Sequence, residues 1–236
     1  MDRETRHQIK HDKFVDEVSD FYDDVRKNSQ KVIIGLVGVL VIIGIGFAVV
    51  TLGARQERQA QGRLAEAMKI LGEQAGEAPA APGAEAPKYK TEAEKIAAAE
   101  PILNEILDSH SRTDAAQVAS LYLAQIELGR GETDKALSRF ESFARKNKSH
   151  ILAGAAQMSV YELKLEKSAE AVIPELESEL ATTKSVVPQE SIMMLLGKAY
   201  EKAGNKEKSQ EMYRRVATEF PQSPYASEAQ QKTSST

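Results

Sequence analysis

The alternation of apolar and polar positions divides the chain into three stretches. Residues 32–53 read VIIGLVGVLVIIGIGFAVVTLG and carry no charge. As a helix rising ~1.5 Å per residue, a stretch of about 22 residues spans roughly 33 Å, enough for the ~30 Å hydrocarbon core of a bilayer. Lys31 bounds it on one side and Arg55 on the other. A soluble core helix keeps a polar face, and this stretch keeps none, so it predicts a transmembrane helix. Residues 54–75 return to a mixed pattern, with Leu64, Met68 and Leu71 on one helical face, and predict a stalk. In residues 76–90 the run GEAPAAPGAEAP breaks the pattern; Ala, Pro and Gly without large apolar residues build no core, so this is a spacer. From residue 91 the period is helical throughout, with no strand-like alternation. It predicts helices over about 92–109, 114–129, 133–147, 151–165, 168–183, 188–203, 206–219 and 222–232, within a domain at 91–232 and before a short disordered tail at 233–236. Pro101 and Pro174 fall inside two of these helices and are expected to kink or restart them.

The turns between the helices carry the next level of organisation. Gly129-Arg130-Gly131-Glu132 precedes Asp134-Lys135-Ala136-Leu137, and Ala203-Gly204-Asn205-Lys206 precedes Glu207-Lys208-Ser209. In each, a helix stops at glycine and a polar helix start follows. A small residue, Ala136 or Ser209, comes next, and an aromatic, Phe140 or Tyr213, lies four positions on. The small residue lets two helices approach and the ring fills the groove beside it. This pattern resembles the tetratricopeptide repeat. The last copy, counted from Glu190, places Leu196-Gly197, Tyr200, Ser209, Tyr213 and Pro221 at the signature spacing, with Met193 where the signature has Trp. A copy from Gln117 to His150 keeps Leu123, Ala124, Ala136, Phe140 and Ala144 but lacks the Tyr and the Pro. Residues 152–187 have the length and texture of a copy with poor signature residues, and residues 91–109 resemble the second helix of a degenerate pair begun by the stalk.

The expected fold is therefore all-α: one N-terminal transmembrane helix followed by a tetratricopeptide-repeat-like superhelix of stacked antiparallel helix pairs. In that motif the first helix of each pair lines a concave groove. The positions expected to do so are Val118, Leu121, Gln125 and Leu128 in one copy and Ser191, Met194, Lys198, Glu201 and Lys202 in the last. Each apolar one among them is equally satisfied by a place in the core. Within the apolar stretch, Gly44 and Ala48 lie four apart and mark a small-residue face on which another membrane helix can pack.

Charge and composition then narrow the function classes. The net charge is -4, and nothing clusters Lys and Arg as nucleic-acid phosphates require. There is no cysteine, which removes a disulfide framework, a thiolate metal site and a cysteine nucleophile. Residues 1–31 mix Arg3, Arg6, Lys10 and Lys13 with five acids between Asp16 and Asp24 and end on Arg26, Lys27 and Lys31. This is too long and too acidic for the n-region of a secretory signal, and the apolar stretch is too long for its core, so an uncleaved signal anchor is expected. Arg55, Arg58 and Arg63 nearly balance the flanking charges, and the earlier basic residues tip the arm towards the cytoplasm. Residues 14–22 repeat apolar positions at helical spacing and form either a short amphipathic helix or an arm with incidental apolar residues. His7 and His11 stand four apart but have no further ligand, and His110 and His150 fall in turns, where histidine is usually exposed. The acids at Glu175 to Glu179 read as a solvated face. No phosphate-binding loop, dinucleotide fingerprint, nucleophile elbow or zinc-protease motif is present, and no catalytic set, cofactor, metal site or small-molecule substrate is expected.

The layout of charged arm, single apolar helix and divergent helical repeats resembles the bacterial YfgM-like family, ancillary tetratricopeptide-repeat subunits of the SecYEG translocon. The residues that carry the resemblance are the apolar stretch, the segment AAQVASLYLAQ at 115–125, and Lys135-Ala136-Leu137. The resemblance implies an inner-membrane protein with a cytoplasmic N-terminus and a periplasmic C-terminal domain. Its partners would be the translocon, a PpiD-like chaperone and newly exported chains. The insertion at 76–87 and the ending YRRVATEFPQSP depart from that family. The ending is more similar to repeat proteins of the outer-membrane assembly machinery, so a scaffold of another envelope complex is the alternative.

Overall fold

A computed structural model describes residues 29–76 and 87–234, with side chains from residue 38 onward. The N-terminal arm with its amphipathic segment and His7/His11 pair, most of the Ala/Pro-rich spacer, and the last two residues lie outside the described residues. The described residues form nine helices and no strand: α1 (Ser29–Gly72), α2 (Glu92–Ser109), α3 (Asp114–Gly129), α4 (Thr133–Lys146), α5 (Ala153–Lys167), α6 (Ala169–Leu180), α7 (Gln189–Lys202), α8 (Lys206–Glu219) and α9 (Ala226–Ser234). The fold is all-α, with one long apolar helix followed by paired helices. Two compact units divide between Gln56 and Glu57, inside α1.

In the first unit, Ile42 is 70% exposed and Phe47 71%. The most apolar part of α1 has a mean hydropathy of 2.1, and none of it is buried. It is long and apolar enough to cross a membrane.

The second unit starts with the last turns of α1. Local chemistry sets the helix starts. Thr91, Thr113, Ser168 and Asn205 each accept a backbone N–H from the first turn of α2, α3, α6 and α8 respectively. Such caps contribute about 1 kcal/mol each. The Glu57 carboxylate also accepts from the N–H groups of Asp114 and Ala115 at 2.7 and 3.2 Å, setting a negative charge at the positive end of α3. Two helix ends are built alike. Gly131 and Gly204 adopt φ of 76° and 77°. The following N–H groups, of Glu132 and Asn205, reach back to the carbonyls of Glu127 and Tyr200 at 2.9 and 2.8 Å. This reversal needs a residue that tolerates positive φ, and it points the next helix back along the last.

The core is a chain of overlapping clusters, each drawing mainly on three consecutive helices. Ala60, Leu64 and Ala67 of α1 pack with Leu103 and Ile106 of α2 and Ala115 and Ala119 of α3. Ala124, Ala136, Phe140, Phe143, Ala156 and Val160 join α3, α4 and α5. Leu165, Leu176, Ile192 and Leu196 join α5, α6 and α7. Met193, Met194, Tyr213, Val216 and Ala229 join α7, α8 and α9. No helix pair closes a core alone; each is completed by the helix that follows.

Several sequence expectations are corrected here. The buried face of the stalk is set by Ala60, Leu64 and Ala67, while Met68 is 44% exposed; the small alanines permit the close approach, and the larger Met is turned out. Of the two outcomes expected at Pro101 and Pro174, a kink or a restart, the restart does not occur: α2 and α6 run through both. Both prolines are exposed, so water can satisfy the carbonyl one turn back. Helix α9 starts at Ala226 rather than 222, after a turn that contains Pro221 and Pro224. The acids of α6 are not a merely solvated face. Glu175 pairs with Lys164 at 2.8 Å, Glu177 accepts from the Tyr200 hydroxyl, and Glu179 accepts from Tyr161 at 3.1 Å.

Candidate functional site

The groove positions expected on α3 and α7 meet different fates. On α3, Gln125 is exposed, and Val118, Leu121 and Leu128 are half-buried. Val118 leans on the cluster shared with α1 and α2; Leu121 and Leu128 lean with Leu137 and Leu152 on the cluster shared with α4 and α5. Each keeps part of its apolar surface in solvent, so this face of α3 remains open.

On α7 the same face is covered. Ser191 is 5% and Met194 2% exposed, and Met194 sits in the cluster completed by Ala229 of α9. Around it, Lys198 pairs with Glu228 at 3.2 Å, Glu201 with Lys232 at 2.9 Å, and Lys202 with Glu166 of α5 at 2.7 Å. Helix α9 thus occupies the position that the first helix of a further repeat would take. An open cleft of about 570 Å³ remains beside it, lined by Glu201, Tyr213, Glu228 and Lys232 among others. The structure therefore separates the two predicted sets: one half-open on α3, the other closed under α9.

The electrostatics of that closure give a testable pH dependence. Hydrogen bonding to Lys232 holds the Glu201 carboxyl below its ordinary range; burial opposes this, and the Tyr213 hydroxyl, donating at 2.9 Å, adds to it. Burial and then the Glu201 bond push the Tyr213 phenol well upward. A carboxylate lowered in the folded state stabilises it above the unfolded pKa, about 4.3 for Glu, and loses that contribution as pH falls through the folded value. The docking of α9 is therefore expected to loosen on acidification below about pH 4. Hydrogen-exchange protection across residues 226–234 should fall there in the wild-type chain and be low already at neutral pH in Glu201→Gln. Unchanged protection in that variant would contradict the assignment.

One structural residue that the pattern does not reveal is His150. It is not a free turn histidine. Its Nδ1 accepts from the Leu152 N–H at 3.0 Å, its Nε2 lies 3.3 Å from Asp114, and its ring meets Phe143 edge-on at 5.3 Å. His110 is half-buried too, with its Nδ1 enclosed and unpartnered. No sequence signal marks the placement of His150, because Asp114 and Phe143 come from other helices. In the first unit, Gly44 and Ala48 are exposed, and a methyl group at Gly44 would meet nothing within 4 Å. Among the described residues, no three His, Asp or Glu side chains gather as metal ligands.

Comparison with known proteins gives one family. Residues 192–223 match the tetratricopeptide repeat model, a stretch that takes in most of α7 and all of α8. No curated protein and no solved structure matches the chain. The packing explains why this copy is the recognisable one. A Cβ on Gly197 would lie 2.5 Å from Cε1 of the Tyr213 ring, so the small residue and the ring are one interlocked feature. Such repeats are interaction scaffolds rather than catalytic folds.

Proposed function

We propose that the chain is a single-pass inner-membrane protein whose helical repeats bind other polypeptides in the periplasm. There it works beside the SecYEG translocon with a PpiD-like chaperone on newly exported chains. One observation carries the reading: the same chain holds an apolar helix that is unburied among the described residues and a tetratricopeptide repeat. Contiguous apolar surface of that extent is not left in water, so lipid is its simplest solvent. The repeats supply half-open apolar positions on α3 suited to a peptide or partner helix. The translocon itself is supported by the resemblance in layout and by the segment at 115–125.

The test is affinity purification from gently solubilised membranes, combined with site-specific photocrosslinking. A crosslinker at Gln125 is expected to capture translocon subunits, a chaperone or exported chains, and one at Met194 to capture far less, because α9 covers it. A stoichiometric complex without translocon components would instead favour a scaffold of a secretion or outer-membrane assembly machine. Protease added to spheroplasts should cleave residues 54–236 and spare the arm if the proposed orientation holds.

A further inference from the structure

We propose that the turn between α4 and α5 is a second membrane contact: Ile151 enters an anionic leaflet while Arg145, Lys146 and Lys148 hold lipid phosphates. This rests on the reading that α1 spans the bilayer. Ile151 is 92% exposed, whereas the next most exposed large apolar residues of its unit, Met68 and Val186, reach 44%. The exposure is built, not slack. Asn147 Nδ2 donates to Gln117 Oε1 at 3.0 Å and to the Phe143 carbonyl at 3.1 Å. The His150 N–H donates to the Asn147 carbonyl at 2.9 Å, and His150 fixes the Leu152 N–H. These bonds turn Leu152 into the α3–α4–α5 cluster and leave Ile151 outside.

Around it, cations outnumber acids. Arg145, Lys146 and Lys148 line one shallow cleft, and Arg145 and Lys148 also line a second together with Lys184. Of the acids that share these clefts, Glu141 pairs with Lys164, while Glu179 accepts from Tyr161 and Ser185 and Asp114 lies beside His150, so that they offset part of the positive charge and no more. None of the four cations has an ion pair among the described residues, although the whole chain is net acidic. A bare apolar tip ringed by cations suits the boundary between headgroups and acyl chains. A tether also keeps the bilayer at high effective concentration.

The chain has no Trp, so Ile151→Trp in the full chain gives a single tryptophan, whose emission is excited selectively over that of the seven tyrosines. It is reconstituted into phosphatidylcholine vesicles with or without phosphatidylglycerol, each carrying brominated acyl chains. Emission is expected to shift blue and be quenched only with phosphatidylglycerol, and high salt should reverse this. At roughly fivefold per basic residue near an anionic surface, adding R145Q, K146Q and K148Q should lower the inserted population roughly a hundredfold. Equal emission in both vesicles, with the chain floating with both, would overturn the proposal and leave the anchor intact. So would a shift produced by polyglutamate and by neither lipid. A chain that floats with neither vesicle would overturn the anchor and this contact together.

Discussion

Ile42→Arg together with Ile43→Arg is expected to move the chain from the membrane pellet into the alkaline-soluble fraction. Fifteen residues between Val32 and Gly53 are Leu, Ile, Val or Phe. At about 0.3–0.6 kcal/mol each for insertion at the helix centre, they supply roughly 5–9 kcal/mol in favour of the bilayer. Each central arginine costs about 2.5–3.5 kcal/mol and removes one isoleucine's contribution, so two arginines remove about 6–8 kcal/mol. The opposing terms then nearly cancel, and a helix that was firmly inserted becomes marginal. Neither substitution touches the second compact unit, which begins at Glu57, so helix content and thermal unfolding of the repeats in detergent should be unchanged. The measurement is carbonate extraction followed by flotation. If the variant stays in the pellet and floats like wild type, the anchor does not reside in this stretch.

The helices of the second unit were readable because their determinants are local. The period of apolar positions marks each buried face, and the glycine reversals at Gly131 and Gly204 mark two helix ends whose hydrogen bonds lie within six residues. Two helix starts differ from the pattern. Helix α9 starts after a turn with two prolines, and α5 starts at Ala153 after a turn organised by His150. What pattern alone did not reveal is which apolar residue meets which neighbour. Alanine is nearly silent in a hydrophobic period, yet Ala60 and Ala67 are fully enclosed while Met68 faces solvent. Met194 shows the same limit. A groove and a core both call for an apolar side chain, and it is the cluster completed by α9 that encloses this one. The acids of α6 look like a solvated run because their partners, Lys164, Tyr161 and Tyr200, come from other helices.

The interlock of Gly197 with Tyr213 sets the largest expected stability effect within the repeats, and a double-mutant cycle reads it directly. Tyr213 is 2% exposed, with its ring against α7 and its hydroxyl donating to Glu201 at 2.9 Å. Tyr213→Ala removes a fully buried ring, and such losses cost about 3–5 kcal/mol. Gly197→Ala has opposing terms. Alanine improves helix propensity by about 1 kcal/mol. Its methyl, however, falls 2.5–2.9 Å from three ring atoms of Tyr213, and overpacking of this kind costs about 1–3 kcal/mol or more. The ring cannot swing clear while Met193 and Val216 pack around it in the same cluster, so the net change is a loss. In the double variant the clash has no partner, the methyl partly refills the cavity, and the propensity gain survives. The two costs should therefore fail to add, with a coupling of about 1–3 kcal/mol that favours the double variant. Denaturant unfolding of the four proteins in detergent measures it, and additivity within experimental error would mean that ring and glycine are not in contact. Because α9 packs on the same cluster through Ala229, Tyr213→Ala should also lower protection of residues 226–234, whereas a loss confined to α7 and α8 would show that the cap docks independently of the ring.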